Sequence, residues 1–206
     1  MEMQLEGEDL LLLPQRAIFW KSKKTLIVSD LHLGKAGHFR KHGIPITKKV
    51  HIADLEILHK LLVDHRPHQV ILLGDLFHST ENNEWNDFIL FIDQFRFVKF
   101  VLIQGNHDIL EEYPDALHLT PLLELPPFSF THIQQESSFY NLSGHIHPGI
   151  RVKGAARQSM TLSCFYFRKR YGILPAYGQF TGIKAIQPKK GDQVYGIGGG
   201  EVIDLF

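Results

Sequence analysis

Five short clusters hold the residue types in this sequence that could do chemistry. They are Asp30-Leu31-His32, Gly74-Asp75, Gly105-Asn106-His107-Asp108, Thr131-His132 and Gly144-His145-Ile146-His147. Carboxylate, imidazole and amide oxygen together suit Mn²⁺, Fe²⁺ or Zn²⁺, and the absence of cysteine from the clusters argues against a structural zinc site. Two metal ions about 3.5–4 Å apart need a bridging ligand, and among these residue types only a carboxylate bridges comfortably. Asp75 stands alone in its cluster, so we predict that it is the bridge.

Each cluster directly follows a short apolar run that predicts a β-strand. In the first half, strands predicted at 25–29, 70–73 and 97–103 alternate with helices predicted over 48–65 and 84–95. This alternation is typical of a parallel sheet built from βαβ units, which binds ligands at the carboxyl ends of its strands. Further strands are predicted at 10–13, 16–20, 128–132, 138–143, 149–153, 159–167, 170–175, 183–187, 193–197 and 201–205. Because no helical pattern follows residue 127, we expect a mostly antiparallel sheet there, packed on the first.

The composition favours one globular domain, residues 1–206, in a reducing compartment. With 22 basic and 22 acidic residues the formal charge is zero, which argues against binding nucleic acid by bulk charge alone. Cys164 is the single cysteine, so no internal disulfide can form. The acidic first nine residues do not resemble a targeting signal, and no apolar stretch approaches the length of a membrane span. We therefore expect a cytoplasmic protein with no membrane contact.

The five clusters in their order resemble the motifs of the calcineurin-like metallophosphoesterase superfamily, D-x-H, G-D, G-N-H-D/E, H and G-H-x-H. Residues 11–17, 30–35, 43–45 and 174–182 also resemble the bacterial ligase-associated DNA damage response endonuclease family, and this likeness covers nearly the whole chain. The resemblance implies an α/β (α+β) fold, a four-layer α/β/β/α sandwich of two mixed sheets flanked by helices.

The resemblance also implies a role for each cluster residue. Two divalent ions are expected, Mn²⁺ first and Fe²⁺ or Zn²⁺ as alternatives. One ion would be held by Asp30, His32, Asp75 and His147, and the other by Asp75, Asn106, His132 and His145. His107, which is not a ligand, would face the scissile phosphate as an acid or as a transition-state donor. Asp108 would orient His107, although it could instead cap a following helix. His78 matches a residue near the phosphate in the nuclease subunit of the double-strand-break repair complex, and is a second catalytic candidate.

The implied function is a phosphodiesterase, a DNA endonuclease in repair, that uses in-line attack by a hydroxide bridging the two ions. A functional association with an ATP-dependent DNA ligase and a helicase is implied too. One alternative is the same chemistry on nucleotides or other small phosphoesters, which the neutral charge favours. A third reading is a non-catalytic metal-binding scaffold, against which the presence of His107 and every expected ligand speaks. Oligomeric state and the choice between endonuclease and exonuclease stay open.

Overall fold

The computed structural model describes residues 1–33, 49–77, 83–109, 113–154, 158–179 and 181–205. Its first sheet has seven strands in the order β1 to β7. Their bounds are β1 Glu2–Leu5, β2 Glu8–Leu13, β3 Ala17–Trp20, β4 Thr25–Val28, β5 Gln69–Leu72, β6 Lys99–Ile103 and β7 Leu117–Thr120. Strands β1 to β4 pair antiparallel, whereas β4 to β7 run parallel. The carboxyl ends of β4, β5 and β6 therefore lie at one edge of the sheet.

Two helices lie between parallel strands in the described part of the chain, α1 Lys49–His65 and α2 Asn83–Asp93. Leu55, Leu58 and Leu62 of α1 are buried against the first sheet, as their spacing of three and four residues predicts. The helix ends where Arg66 adopts a φ of 45° and Pro67 follows. A left-handed residue and a proline both prevent the helix from continuing.

The second sheet has nine strands in the order β14-β11-β12-β13-β10-β9-β8, with β15 paired to β12 and β16 to β15. Their bounds are β8 Leu123–Leu125, β9 Phe128–Phe130, β10 Tyr140–Ser143, β11 Pro148–Lys153, β12 Ser159–Phe167, β13 Tyr171–Ile173, β14 Lys184–Ala185, β15 Gln193–Gly198 and β16 Glu201–Asp204. Strands β9, β10 and β13 are parallel. The segments that follow β9 and β10 therefore leave the sheet at the same edge.

Three apolar clusters hold the layers together. The first lies between the helices and the first sheet and includes Leu72 and Phe88. The second lies between the two sheets, where Ile71 of β5 meets Phe130 and Phe165. A smaller third cluster, around Cys164, lies on the outer face of the second sheet. Alternate residues of the parallel strands thus serve two different cores, which explains why these strands are apolar on both faces.

The predicted sandwich of two mixed sheets is confirmed. The sequence missed β1, β7 and β8, which are short strands that bury few apolar side chains. The second sheet is more mixed than predicted, because β9, β10 and β13 pair in parallel although no described helix connects them. Both described helices pack on the first sheet. The second helical layer of the expected sandwich is not found among the described residues.

Among the described helices, none is both long enough and apolar enough to cross a membrane.

Candidate metal centre

The segments that follow β4 and β5 lie side by side and carry the first two clusters. The Asp30 amide donates to the carbonyl of Gly74 (3.2 Å), and the His32 amide donates to the carbonyl of Asp75 (2.9 Å). The two segments thus extend the parallel pairing of their strands by several residues. Backbone hydrogen bonds alone therefore hold Asp30 and Asp75 next to each other.

Five of the predicted ligands have a left-handed backbone. The φ angles are 52° at Asp30, 48° at His32, 49° at Asp75, 72° at His145 and 49° at His147. A positive φ is uncommon for any residue except glycine, and such residues concentrate at functional sites. The left-handed turns direct these side chains toward one space instead of alternating across a strand.

Two glycines allow the clusters to approach one another. A Cβ atom at Gly74 would overlap the imidazole ring of His132, and one at Gly144 would overlap the Ser29 hydroxyl and crowd Asp30. Gly74 also has a φ of 77°, which favours glycine. Both glycines are therefore required where the second sheet brings its histidines against the first.

Six predicted ligands form two groups. Asp30, His32 and His147 present ligand atoms that all lie within 4.8 Å of one another, and Asp75, His132 and His145 do the same. All of these side chains are buried except those of His145 and His147, which are partly exposed. Each group combines residues from both sheets, so the centre exists only when the two sheets are packed.

Asp75 occupies the position between the two groups. Its Oδ2 lies 3.7 Å from Nε2 of His32, and its Oδ1 lies 3.4 Å from Nε2 of His132. Two ligands bound to one ion at about 2.1 Å are separated by about 3.0–3.4 Å, so the spacing to His132 suits metal coordination and the spacing to His32 is slightly longer. The two oxygens of one carboxylate face different groups, which is the geometry that the predicted bridge needs.

Backbone carbonyls set the tautomers of two histidines. Nδ1 of His132 lies 2.9 Å from the carbonyl oxygen of Leu73, and Nδ1 of His147 lies 3.1 Å from that of Gly182. Because a carbonyl only accepts, each Nδ1 carries a hydrogen, and in the neutral ring Nε2 is then the atom with the lone pair. Nε2 of His132 then faces Asp75 and Nδ1 of His145, the latter at 3.2 Å. Such carbonyl contacts typically orient histidine ligands in metal sites.

Unsatisfied atoms show that the residues fit a cation. Asp30 Oδ1 and His147 Nε2 are buried, have no hydrogen-bond partner among the described residues, and face each other at 3.4 Å. Asp30, Asp75 and Asp108 are 0%, 3% and 0% exposed. Burying several carboxylates near one another is costly unless positive charge compensates them. The two groups therefore suit two divalent ions.

Ser29 contacts a predicted ligand, and the sequence did not reveal this contact. Its hydroxyl donates to Oδ2 of Asp30, and the backbone amide of His145 donates to the same oxygen at 2.9 Å. The other oxygen, Oδ1, remains directed at His147. Burial raises the pKa of Asp30, but His147 and the Ser29 hydroxyl outweigh it and hold that pKa below its ordinary value. No local pattern marks a serine that precedes an aspartate as a positioning residue.

The Asp108 carboxylate connects two loops of the site. Its Oδ1 accepts hydrogen bonds from the amides of Leu76 (2.9 Å) and Phe77 (3.4 Å), and its Oδ2 accepts one from Gly105 (2.8 Å). Burial raises the pKa of Asp108 above its ordinary value, although these amides oppose the shift. These contacts hold the segments after β5 and β6 together. That Asp108 orients His107 stays a prediction.

The three remaining candidates have different outcomes. His107 is exposed, its ring centroid lies 5.6 Å from that of His32, and its amide donates to Asp75 Oδ1 at 3.0 Å. Asn106 is exposed in the same turn, and its role as a ligand stays a prediction. His78 lies outside the described residues.

Arg16 supports the centre from a distance. Its Nη1 lies 3.4, 3.4 and 3.2 Å from the carbonyl oxygens of Ala176, Tyr177 and Gly178. The amides of Tyr177 and Gly178 in turn donate to the carbonyls of Ser29 (2.7 Å) and Asp30 (3.2 Å). Arg16 thereby fixes the segment that holds Asp30. The only sequence signal for this was the family likeness of the stretches 11–17 and 174–182.

Comparison with known proteins agrees with this geometry. The family model of calcineurin-like phosphoesterases matches residues 23–193. The structure of the Pseudomonas putida nuclease MPE is similar with a TM-score of 0.82 and 28% sequence identity, and the match covers 100% of this chain and 99% of that chain. Yfce, a phosphoesterase from E. coli, is 13% identical with a TM-score of 0.43, covering 87% of this chain and 96% of its own. A predicted phosphoesterase from Streptococcus pneumoniae is 14% identical with a TM-score of 0.36, covering 83% and 80%. Comparison with curated proteins gave no match.

The α/β sandwich and the two candidate metal sites at the edges of its sheets place this protein in the class of metal-dependent phosphoesterases. The matched residues 23–193 contain all five clusters. This chain belongs to the calcineurin-like phosphoesterase family.

Proposed function

We propose that this phosphoesterase is a binuclear-metal-dependent phosphodiesterase that cleaves DNA, as an endonuclease in DNA repair. The observation that carries the proposal is the similarity to the Pseudomonas putida nuclease, at 28% identity over 100% of this chain and 99% of that chain. This likeness extends over the whole of this chain and is not confined to the five clusters. Mn²⁺ as the native metal, a cytoplasmic location and the association with a ligase and a helicase stay predictions.

In this reaction the residues of the chain would hold the two metal ions in place and donate a proton. Two divalent ions held by the two groups would provide hydroxide near neutral pH and neutralise charge on the phosphoryl oxygens. Asp75 Oδ1 accepts the amide hydrogen of His107, so the loop that carries His107 is fixed relative to the predicted bridge. The exposed ring of His107 can donate its proton to the leaving alkoxide, a step worth about 10²–10⁴-fold in rate.

The test compares nucleic acid with small substrates in one Mn²⁺-dependent assay. Circular single-stranded DNA, nicked duplex and intact duplex would be incubated beside bis(p-nitrophenyl) phosphate. Circular DNA has no ends, so its linearisation distinguishes an endonuclease from an exonuclease. His107→Ala, purified in parallel, controls for contaminating nucleases. We expect cleavage of circular single-stranded DNA by the natural protein only. Hydrolysis of bis(p-nitrophenyl) phosphate without cleavage of any DNA form would instead support a phosphodiesterase of small substrates.

A further inference from the structure

A two-stranded extension of the second sheet projects beside the metal centre. Strand β11 begins at Pro148, directly after His147, and pairs antiparallel with β12 from Gly149–Ser163 to Lys153–Ser159. The other partner of β11, β14, pairs only with Pro148 and Gly149, and β15 pairs with β12 only from Cys164 onward. Residues 151–153 and 159–161 therefore pair only with each other among the described strands. We call these six residues the ribbon.

The ribbon extends past the edge at which the metal ligands lie. Tyr166 of β12 is level with Ile173 of β13, which is level with Ser143 at the end of β10. Because β12 runs opposite to β10, its residues before Cys164 lie beyond Ser143, on the side of His145 and His147. At about 3.3 Å per residue, Arg151 lies about 10 Å and Lys153 about 17 Å along the strand from Pro148, the residue after His147.

The two faces of the ribbon differ in chemistry. Alternate residues of a strand share a face, so Ser159 and Thr161 lie on the face of Phe165 and Phe167, which pack toward the first sheet. Their cross-strand partners Lys153 and Arg151 share that face. These four residues of the ribbon are exposed. The opposite face carries the apolar residues Val152 and Met160. Beyond the core, the inner face of the sheet therefore changes from phenylalanine to cationic and hydroxyl side chains.

The charges of this face are not neutralised within the described chain. Arg151 donates through Nε and Nη2 to the Ser159 hydroxyl at 3.2 and 2.9 Å, and this partner carries no charge. The ion pairs of the described residues that involve lysine or arginine are formed by Lys21, Lys60 and Arg168, and none involves Arg151 or Lys153. Two cations without an ion-pair partner among the described residues, beside two hydroxyl groups, match the side chains that contact nucleic-acid phosphates.

We propose that the inner face of the ribbon binds the phosphate backbone of the nucleic-acid strand, on one side of the bond held at the metal centre. The proposal rests on the proposed nuclease function and names the surface that this function would use. It explains how a protein with a formal charge of zero engages a polyanion. The cations need to be placed along the path of the strand, and the overall charge need not be positive.

The test removes the two charges and measures polymer binding and small-substrate turnover separately. Arg151→Ala/Lys153→Ala is compared with Arg96→Ala/Lys99→Ala, which loses the same charge from exposed residues near the start of β6, the end opposite the centre. Binding of a fluorescently labelled single-stranded oligonucleotide is followed by anisotropy across a salt series, in a His107→Ala background so that the strand is cut much more slowly than it binds. Turnover of bis(p-nitrophenyl) phosphate is measured with His107 intact.

Each phosphate contact on a single strand contributes about −0.7 to the slope of log affinity against log salt, or about 5-fold in affinity between 1 M and 0.1 M salt. For the ribbon variant we therefore expect a slope shallower by about 1.4 and an affinity weakened by about 25-fold at 0.1 M salt. Turnover of bis(p-nitrophenyl) phosphate should not change, and the control pair should match the natural protein in both assays.

Three results would overturn the proposal: an unchanged salt slope, an equal loss in the control pair, or a loss of small-substrate turnover in the ribbon variant. The last would show that the ribbon acts on the centre and not on the polymer. Failure of the proposed nuclease function is a separate result, since it would appear as uncut DNA in the natural protein whatever the ribbon binds.

Discussion

Replacing Ser29 by alanine should weaken one metal site and leave the other intact. The Ser29 hydroxyl donates to Oδ2 of Asp30, and this leaves Oδ1 for the ion. In Ser29→Ala, Oδ2 of Asp30 keeps only the hydrogen bond from the backbone amide of His145, at 2.9 Å. A hydrogen bond to a charged group contributes about 1.5–3 kcal/mol, which corresponds to roughly 10- to 100-fold in a binding constant. A 10- to 100-fold loss of metal affinity is also typical when a residue that hydrogen-bonds to a metal ligand is removed.

The assay is a calorimetric titration of the metal-depleted protein with Mn²⁺. We expect Ser29→Ala to weaken binding at the site of Asp30, His32 and His147 by about 10- to 100-fold. Turnover at saturating Mn²⁺ should stay close to that of the natural protein, because no residue near the phosphate is removed.

Ser143→Ala is the matched control. Like Ser29, Ser143 is fully buried. It lies next to Gly144, and its hydroxyl has no hydrogen-bond partner among the described residues. Its loss should leave Mn²⁺ binding unchanged. Mn²⁺ affinity of Ser29→Ala equal to that of Ser143→Ala would refute the role given to the Ser29 hydroxyl.

Three further predictions concern the acid, the support of the centre and the ions. His107→Ala should retain its metal content but hydrolyse bis(p-nitrophenyl) phosphate about 10²–10⁴-fold more slowly, and full activity would remove His107 from the mechanism. Arg16→Met should lower the free energy of unfolding in urea by about 2–3 kcal/mol, because three carbonyls lose a charged donor; an unchanged midpoint would contradict the support that we assign to it. Chelation should lower the melting temperature, since an ion present at 1,000 times its Kd stabilises the folded state by about 4 kcal/mol; equal melting with and without chelator would exclude bound ions.

The sequence predicted that Asp30, His32 and Asp75 converge because they follow parallel strands. The carboxyl ends of such strands meet at one edge, so the residues after β4, β5 and β6 had to converge whatever the details of the loops. Residue type then limited the chemistry to metal binding, since carboxylates and imidazoles occur there together. The prediction of these ligands thus depended on local patterns and on one topological rule.

The parts that the sequence did not predict depend on contacts between distant residues. The contact between Ser29 and Gly144 joins two sheets, and that between Arg16 and Gly178 joins residues 162 positions apart. The parallel pairing of β9, β10 and β13 was missed for the same reason, because its connections are extended segments without a recognisable periodicity. Left-handed angles at five predicted ligands could not be predicted either, since aspartate and histidine are enriched in this conformation but most of them adopt others.

The central claim is that Asp75 bridges two ions, and anomalous diffraction from crystals of the Mn²⁺-loaded protein tests it most directly. The account predicts two anomalous peaks about 3.5–4 Å apart, one within bonding distance of each Asp75 oxygen. One peak would lie beside Asp30, His32 and His147, and the other beside His132 and His145. A single peak, or two peaks of which only one contacts Asp75, would contradict the account.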